Sequence, residues 1–303
     1  MTTEPAPASR TRRGIRWVAS GVGLVLLAAA VVLVARWLRG TEPVQGFLAE
    51  YPGAYALPEG APVGFPAWLG WQHFFNAFLL VLVVRTGLQA RAERVPAALW
   101  SSRRNRRRRM SLTVWLHLAL DLLWIANGVV YVVLLFATGQ WMRVVPTDGA
   151  VVPNAVSAAL QYASLDWPLE NGWVGYNSLQ QLSYFATVFV AAPLAILTGA
   201  RMSVFWPRDA ERLNRRYPFA VANAVHLPVM LYFVAFTIVH VALVLATGAL
   251  RNLNHMFAAR DADDWVGFGI FVVALLAIAG GWALVRPAVV DRIASAFGDV
   301  SRR

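Results

Sequence analysis

The chain has 303 residues, of which 58% are hydrophobic and 14% charged, and it carries a net charge of +11 without a lysine or a cysteine. Soluble domains average about 25% charged residues, so the composition excludes an ordinary solvated globule. The missing cysteines exclude disulfides, iron–sulfur clusters and thiolate metal sites within the chain.

A membrane-crossing helix needs about 20 apolar residues. Six stretches qualify: Trp17–Leu38, Trp68–Gln89, Leu112–Thr138, Leu179–Met202, Phe219–Leu250 and Trp265–Val285. They lack period-two alternation, and backbone polar groups in lipid must pair within their own segment, so helices are expected. Residues 1–16 read as a tail bearing Arg10, Arg12, Arg13 and Arg16. The first span, 17–38, is too long and too charged at its far end (Arg36, Arg39) for a cleaved leader, and reads as a retained helix. The densest basic run, "RAERVPAALWSSRRNRRRRM", separates the second and third spans, and "RMSVFWPRDAERLNRRYP" separates the fourth and fifth. Arg286, Arg292, Arg302 and Arg303 follow the sixth. The other loops, 39–67, 139–178 and 251–264, hold Glu42, Glu50, Glu59, Asp148, Asp166, Glu170, Asp261, Asp263 and Asp264. Arginines near span ends mark the cytoplasmic side, so both termini are expected in the cytoplasm; only Arg36 and Arg39 dissent. This placement accounts for the positive charge, and no nucleic-acid partner is expected. Trp68, Trp71, Trp141, Trp167 and Trp173 suit an aromatic belt at the headgroups. No loop is long enough for a separate soluble domain with a sizeable core.

Four of the five histidines lie in spans. His73 is near the outer start of the second span and His117 near the inner start of the third. His226 and His240 lie near the inner and outer ends of the fifth. The depths therefore pair: His73 with His240, and His117 with His226. Fourteen residues at about 1.5 Å rise separate the last two by about 21 Å, and fourteen steps of about 100° leave both on nearly one face. Ionisable groups in a membrane are costly and usually functional, and neutral imidazole is a common metal ligand. Zinc would want three or four ligands at one point. Two pairs at two depths suit two haems, each with an axial histidine on either side, in a helical bundle. His255, in the outer loop, has no partner in depth and reads as a surface residue.

"HFFNAFLLVLVVRTG" and "VANAVHLPVMLYFVAFTIVHVALVLATG" resemble, respectively, the opening signature and the last core helix of the cytochrome b subunits of nickel–iron hydrogenases and the gamma subunits of formate dehydrogenases. The resemblance covers about residues 68–250. It implies a four-helix core, helices 2–5, with His73 and His240 holding one haem b and His117 and His226 the other. The fold class expected is thus an all-α membrane protein of six transmembrane helices, with extra helices at 17–38 and in 265–303. The implied role is an electron-transfer subunit of a respiratory oxidoreductase in the bacterial cytoplasmic membrane, rather than a stand-alone enzyme. Its implied partners are quinone or menaquinone and a catalytic or iron–sulfur subunit, of which molybdopterin-dependent enzymes are one kind. The chain departs from the simplest members in its leading helix, which turns the core over. On the family's logic the redox partner then docks from the cytoplasm, by His117 and His226; the alternative keeps an outer partner and exchanges the roles of the two haems.

Asp121, one turn after His117, is a candidate to orient a ligand histidine or relay protons. Asn76, one turn from His73, is a candidate quinone contact, and Arg85 and Arg201 are candidates for haem propionates, though interhelical bonding and topology also account for them. Asn127 and Gln180–Gln181 are further polar residues in spans. Thr-Gly recurs at 86–87, 138–139, 198–199 and 247–248, near the end of each core span, where helix termination is the ordinary reading and close approach of helices or a porphyrin the other. The alternative function is a transporter, or a proton or metal path lined by the histidines. A haem-free membrane anchor is a third.

Overall fold

A computed structural model describes residues 8–167 and 171–302, with side chains except at 8–13, 105, 107 and 108. Residues 1–7 of the tail, Glu170, Arg303, and the side chains of Arg10, Arg12, Arg13, Arg107 and Arg108 lie outside the described residues.

The fold is mostly helical. In chain order come α1 (Ala8–Arg39), α2 (Glu42–Glu50), α3 (Ala67–Ala92), the hairpin β1 (Ala98–Ser102) and β2 (Asn105–Ser111), α4 (Leu112–Ala137), α5 (Val151–Ala163), α6 (Ser178–Ala186), α7 (Ala192–Met202), α8 (Glu211–Arg216), α9 (Phe219–Ala246), α10 (Ala249–Leu253), α11 (Val266–Leu284), α12 (Pro287–Phe297) and β3 (Asp299–Arg302). Six helices are long and apolar enough to cross a membrane: residues 14–39 of α1, then α3, α4, Ser178–Met202 running through α6 and α7, α9, and α11. They coincide with the six expected spans to within a few residues. Helix α1 begins at Ala8, inside the stretch read as tail.

The ends of these helices follow local chemistry. Ser111 caps α4, its hydroxyl accepting from the Val114 N–H at 3.2 Å. Asn177 and Gln180 form a reciprocal capping box at the start of α6: Asn177 Oδ1 accepts from the Gln180 N–H at 2.8 Å, and Gln180 Oε1 from the Asn177 N–H at 3.1 Å. Gly139 (φ +74°) and Gly248 (φ +129°) end α4 and α9 in conformations that disfavour a side chain. Between α6 and α7, residues Thr187–Ala191 form a π-helical turn, and Asn254–Ala258 form another after α10.

The chain divides into two compact units. The first comprises residues 1–57, 146–170 and 176–182. Here Arg36 Nε donates to the Ser164 carbonyl at 3.0 Å, and Arg39 bonds Ser164 Oγ at 2.8 Å and pairs with Asp166 at 2.5 Å. The two arginines that dissent from the charge pattern are therefore occupied by the loop that follows α5.

The second unit comprises residues 58–145, 171–175 and 183–303. Helix α3 packs along α4 and α7 along α9, while α11 lies against α3 and the second π turn. The α3–α4 seam is closed by Leu79, Leu82 and Leu120. The basic run, read above as a loop, contains most of the β1–β2 hairpin, and after the sixth span β3 adds to β1 in the order β2-β1-β3. Helix α12 covers one face of this sheet, and Trp100, Met110, Leu112, Val290 and Ala294 form a buried cluster between them. Trp100 Nε1 donates to the Ala294 carbonyl at 3.1 Å. The hairpin and β3 are separated in sequence by four spans, an even number, so their pairing agrees with a chain that crosses at every span.

Candidate functional site: two tiers of histidines

All four span histidines belong to the second unit. His226 and His240 project from the unbroken helix α9, so the sequence spacing of about 21 Å along its axis holds. His73 of α3 meets His240 with ring centroids 6.1 Å apart and planes inclined by 35°. Two metal–nitrogen bonds of about 2 Å, plus about 1.1 Å from each nitrogen to its ring centre, would place two coordinating imidazoles about 6.2 Å apart. Aromatic rings surround this pair. His240 stacks on Phe236 at 5.6 Å and 6°, the edge of Tyr184 lies 6.0 Å away, and Phe257 lies 5.9 Å from His73.

The other tier is held by hydroxyls. Thr86 Oγ1 lies 3.1 Å from His117 Nδ1, and Thr198 Oγ1 lies 2.8 Å from His226 Nδ1. Both threonines are buried inside helices, and both spend their proton on the preceding turn: Thr86 donates to the Leu82 carbonyl at 2.8 Å and Thr198 to the Leu194 carbonyl at 2.6 Å. Their oxygens are therefore left to accept, which makes each Nδ1 a donor and puts the lone pair of each neutral ring on Nε2. The glycines that follow lie against the rings, Gly87 tightly and Gly199 at ordinary contact. A Cβ at Gly87 would stand 3.0 Å from His117 Cε1, and one at Gly199 would stand 3.5 Å from His226 Cε1. Two of the four Thr-Gly pairs thus serve histidines rather than helix ends, while 138–139 and 247–248 do sit at ends. His117 Nε2 also faces Asp121 Oδ2 at 3.6 Å. No ring-to-ring contact joins His117 to His226 among the described residues, in contrast to the first pair.

A packed layer separates the tiers. Leu80, Trp124 and Phe233 each lie seven residues, two helical turns, beyond His73, His117 and His226 respectively. Trp124 meets Phe233 edge-on at 5.8 Å, and the cluster is completed by Ala191 and Val229. Trp124 Nε1 donates to Asn76 Oδ1 at 2.6 Å, so this candidate quinone contact ties α3 to α4. The two candidate arginines bind carbonyls. Arg85 bonds those of Trp282 and Val285 and lies 4.5 Å over the Trp282 ring. Arg201 Nε donates to the Tyr217 carbonyl at 2.7 Å.

His255 is not a surface residue. It is buried at 3% exposure, with Phe65 stacked at 5.7 Å and Trp173 at 5.2 Å, and its Nε2 lies 2.7 Å from Asp261 Oδ1. Arg251 grips the same carboxylate at 2.7 and 2.9 Å and, with His255, holds it well below the usual carboxylate range. Arg143, also buried, donates to the carbonyls of Gly64 and Gly172 and lies 4.7 Å over Phe65. The sequence showed only a histidine without a partner in depth; the acid six residues on was the available signal.

Among the described residues no three His, Cys, Asp or Glu side chains gather as a metal-ion site. Pairs of imidazoles suit a metal whose remaining ligands come from elsewhere, as in a planar macrocycle. Comparison with protein-family models, with curated proteins and with solved structures finds no match.

Proposed function

We propose that the chain is a membrane cytochrome holding two haems b, one between His73 and His240 and one between His117 and His226, in the core formed by the second to fifth spans. The observation that carries this reading is the recurrence, at two depths, of imidazoles prepared as ligands. One pair has its ring centroids 6.1 Å apart, a spacing at which both rings could hold one metal; the other has both Nδ1 atoms turned to threonine oxygens, which would leave Nε2 as the atom to bind a metal. Gly87 leaves the His117 ring room that a Cβ at that position would take. When bound, haem supplies reversible one-electron storage; the chain's part is to orient the ligands, exclude water and hold the two centres apart through Trp124 and Phe233.

On this reading electrons pass between a redox partner subunit and quinone or menaquinone in a bacterial cytoplasmic membrane, with both termini in the cytoplasm. The arginine-rich end near His117 and His226 is the side for the partner, a catalytic or iron–sulfur protein. The proton or metal path is less well supported, because the Leu80–Trp124–Phe233 layer interrupts the space between the tiers.

The test is pigment stoichiometry in the purified chain. Wild type binds two haems b. His240→Ala and His226→Ala each retain one, with different reduced spectra, and the double variant retains none. A colourless wild type, or single variants that keep both haems, refutes the reading.

A further inference from the structure

The two tiers differ in what their ring nitrogens touch. His117 and His226 each donate from Nδ1 to a buried threonine oxygen. His73 and His240 instead lie among Phe257, Phe236 and Tyr184, and no acceptor among the described residues bonds their nitrogens. A hydrogen bond from the distal ring nitrogen raises the basicity of the ligating one. A more basic axial ligand favours the more positively charged, oxidised metal and so lowers its potential.

We propose that Thr86 and Thr198 make the His117/His226 tier the lower-potential of two centres, so that electrons run along α9 from His226 towards His240. This rests on the di-haem reading and adds to it a direction, which follows from hydrogen bonding alone. The threonines are positioning residues: they act through the histidines and meet neither substrate nor metal. Asp121 lies on the same tier and is kept intact in the test, so that the effect of the hydroxyls is read by itself.

The experiment is an optical redox titration of the full chain in lipid nanodiscs, comparing wild type with Thr86→Val and Thr198→Val. Each removes one acceptor while conserving shape. Loss of one such bond shifts the reduction equilibrium of that centre about tenfold, a rise of about 59 mV for a one-electron couple. The lower of the two steps rises and the upper stays. Thr86→Ser and Thr198→Ser, which keep the oxygen, restore the wild-type value, whereas a purely packing role would not be rescued by the smaller side chain. Thr138→Val and Thr247→Val, at helix ends away from the histidines, move neither step. The inference is overturned if pigment is retained and the lower step stays put, or if the upper step moves. It is also overturned if both valine variants lose the pigment, since the threonines would then be retaining the group rather than tuning it. Failure of the di-haem reading is separate, because it shows in wild type as fewer than two steps.

Discussion

Gly87 offers a sharp test of how tightly the His117 ring is fitted. Glycine in a helix interior is ordinarily a liability, and alanine there stabilises by about 1 kcal/mol. At Gly87 a new methyl would stand 3.0 Å from His117 Cε1 and 3.6 Å from both ring nitrogens. Ordinary contact requires the ring to retreat by about 0.5 Å, which forces it off its rotamer at about 0.5–1.5 kcal/mol and strains a threonine hydrogen bond worth about 1 kcal/mol net. The helix gain and the ring penalty thus nearly cancel in overall stability, but only the penalty falls on the ligand. Gly87→Ala should therefore melt within a few degrees of wild type while binding the pigment of this tier about tenfold more weakly. Two controls grade the effect. Gly199→Ala meets His226 at an ordinary 3.5 Å, and Gly128→Ala in α4 meets nothing within 4 Å. Both should keep full pigment. Thermal unfolding and pigment content, measured on the same detergent-purified samples, decide the matter. If Gly87→Ala matches Gly128→Ala in pigment retention, the ring is not confined as described.

At Gly267 the obstacle is backbone: a Cβ would lie 2.3 Å from the Asn254 amide nitrogen. Gly267→Ala should therefore destabilise the α11 junction by about 3 kcal/mol or more, seen as a lowered melting temperature, with Gly269→Ala, which meets nothing within 4 Å, as the silent control. The Arg251–Asp261–His255 contact gives a pH dependence of known sign. Because the Asp261 carboxyl is held below its ordinary value, chiefly by Arg251, its stabilisation is complete above about pH 4 and fades as pH falls further towards the folded value. Limited proteolysis of the 251–264 loop should be level from pH 7 to pH 5 and rise under stronger acid. In Asp261→Asn it should already be high at neutral pH; a variant as resistant as wild type would show that the contact holds nothing.

The spans were plain in the sequence because twenty apolar residues leave one low-energy answer in lipid, and observed and expected ends differ little. The meeting of His73 with His240 was legible for the same reason: rise per residue is fixed once a helix is continuous, as α9 is. What escaped was non-local. Thr86 and His117 are 31 positions apart and belong to different helices, so nothing local distinguished the two Thr-Gly pairs beside histidines from the two at helix ends. The arginine run hid a strand, because four consecutive arginines in β2 erase the alternation by which strands are recognised, and β3, which pairs with β1, lies about 200 residues away. His255 seemed solitary because burial came from Phe65 and Trp173, each more than 80 residues distant.

The three-stranded sheet constrains how this chain is made. Strand β3 follows every span in order of synthesis, yet it belongs beside β1, which leaves the ribosome before four of them. The nascent hairpin must therefore wait with one edge unsatisfied while those helices are made, and its flanking arginines disfavour pairing with another molecule in the meantime. On the proposed membrane reading, docking of β3 then acts as a check on insertion: a chain that skipped one crossing would hold the two halves of the sheet on opposite sides of the lipid, and the sheet could not close.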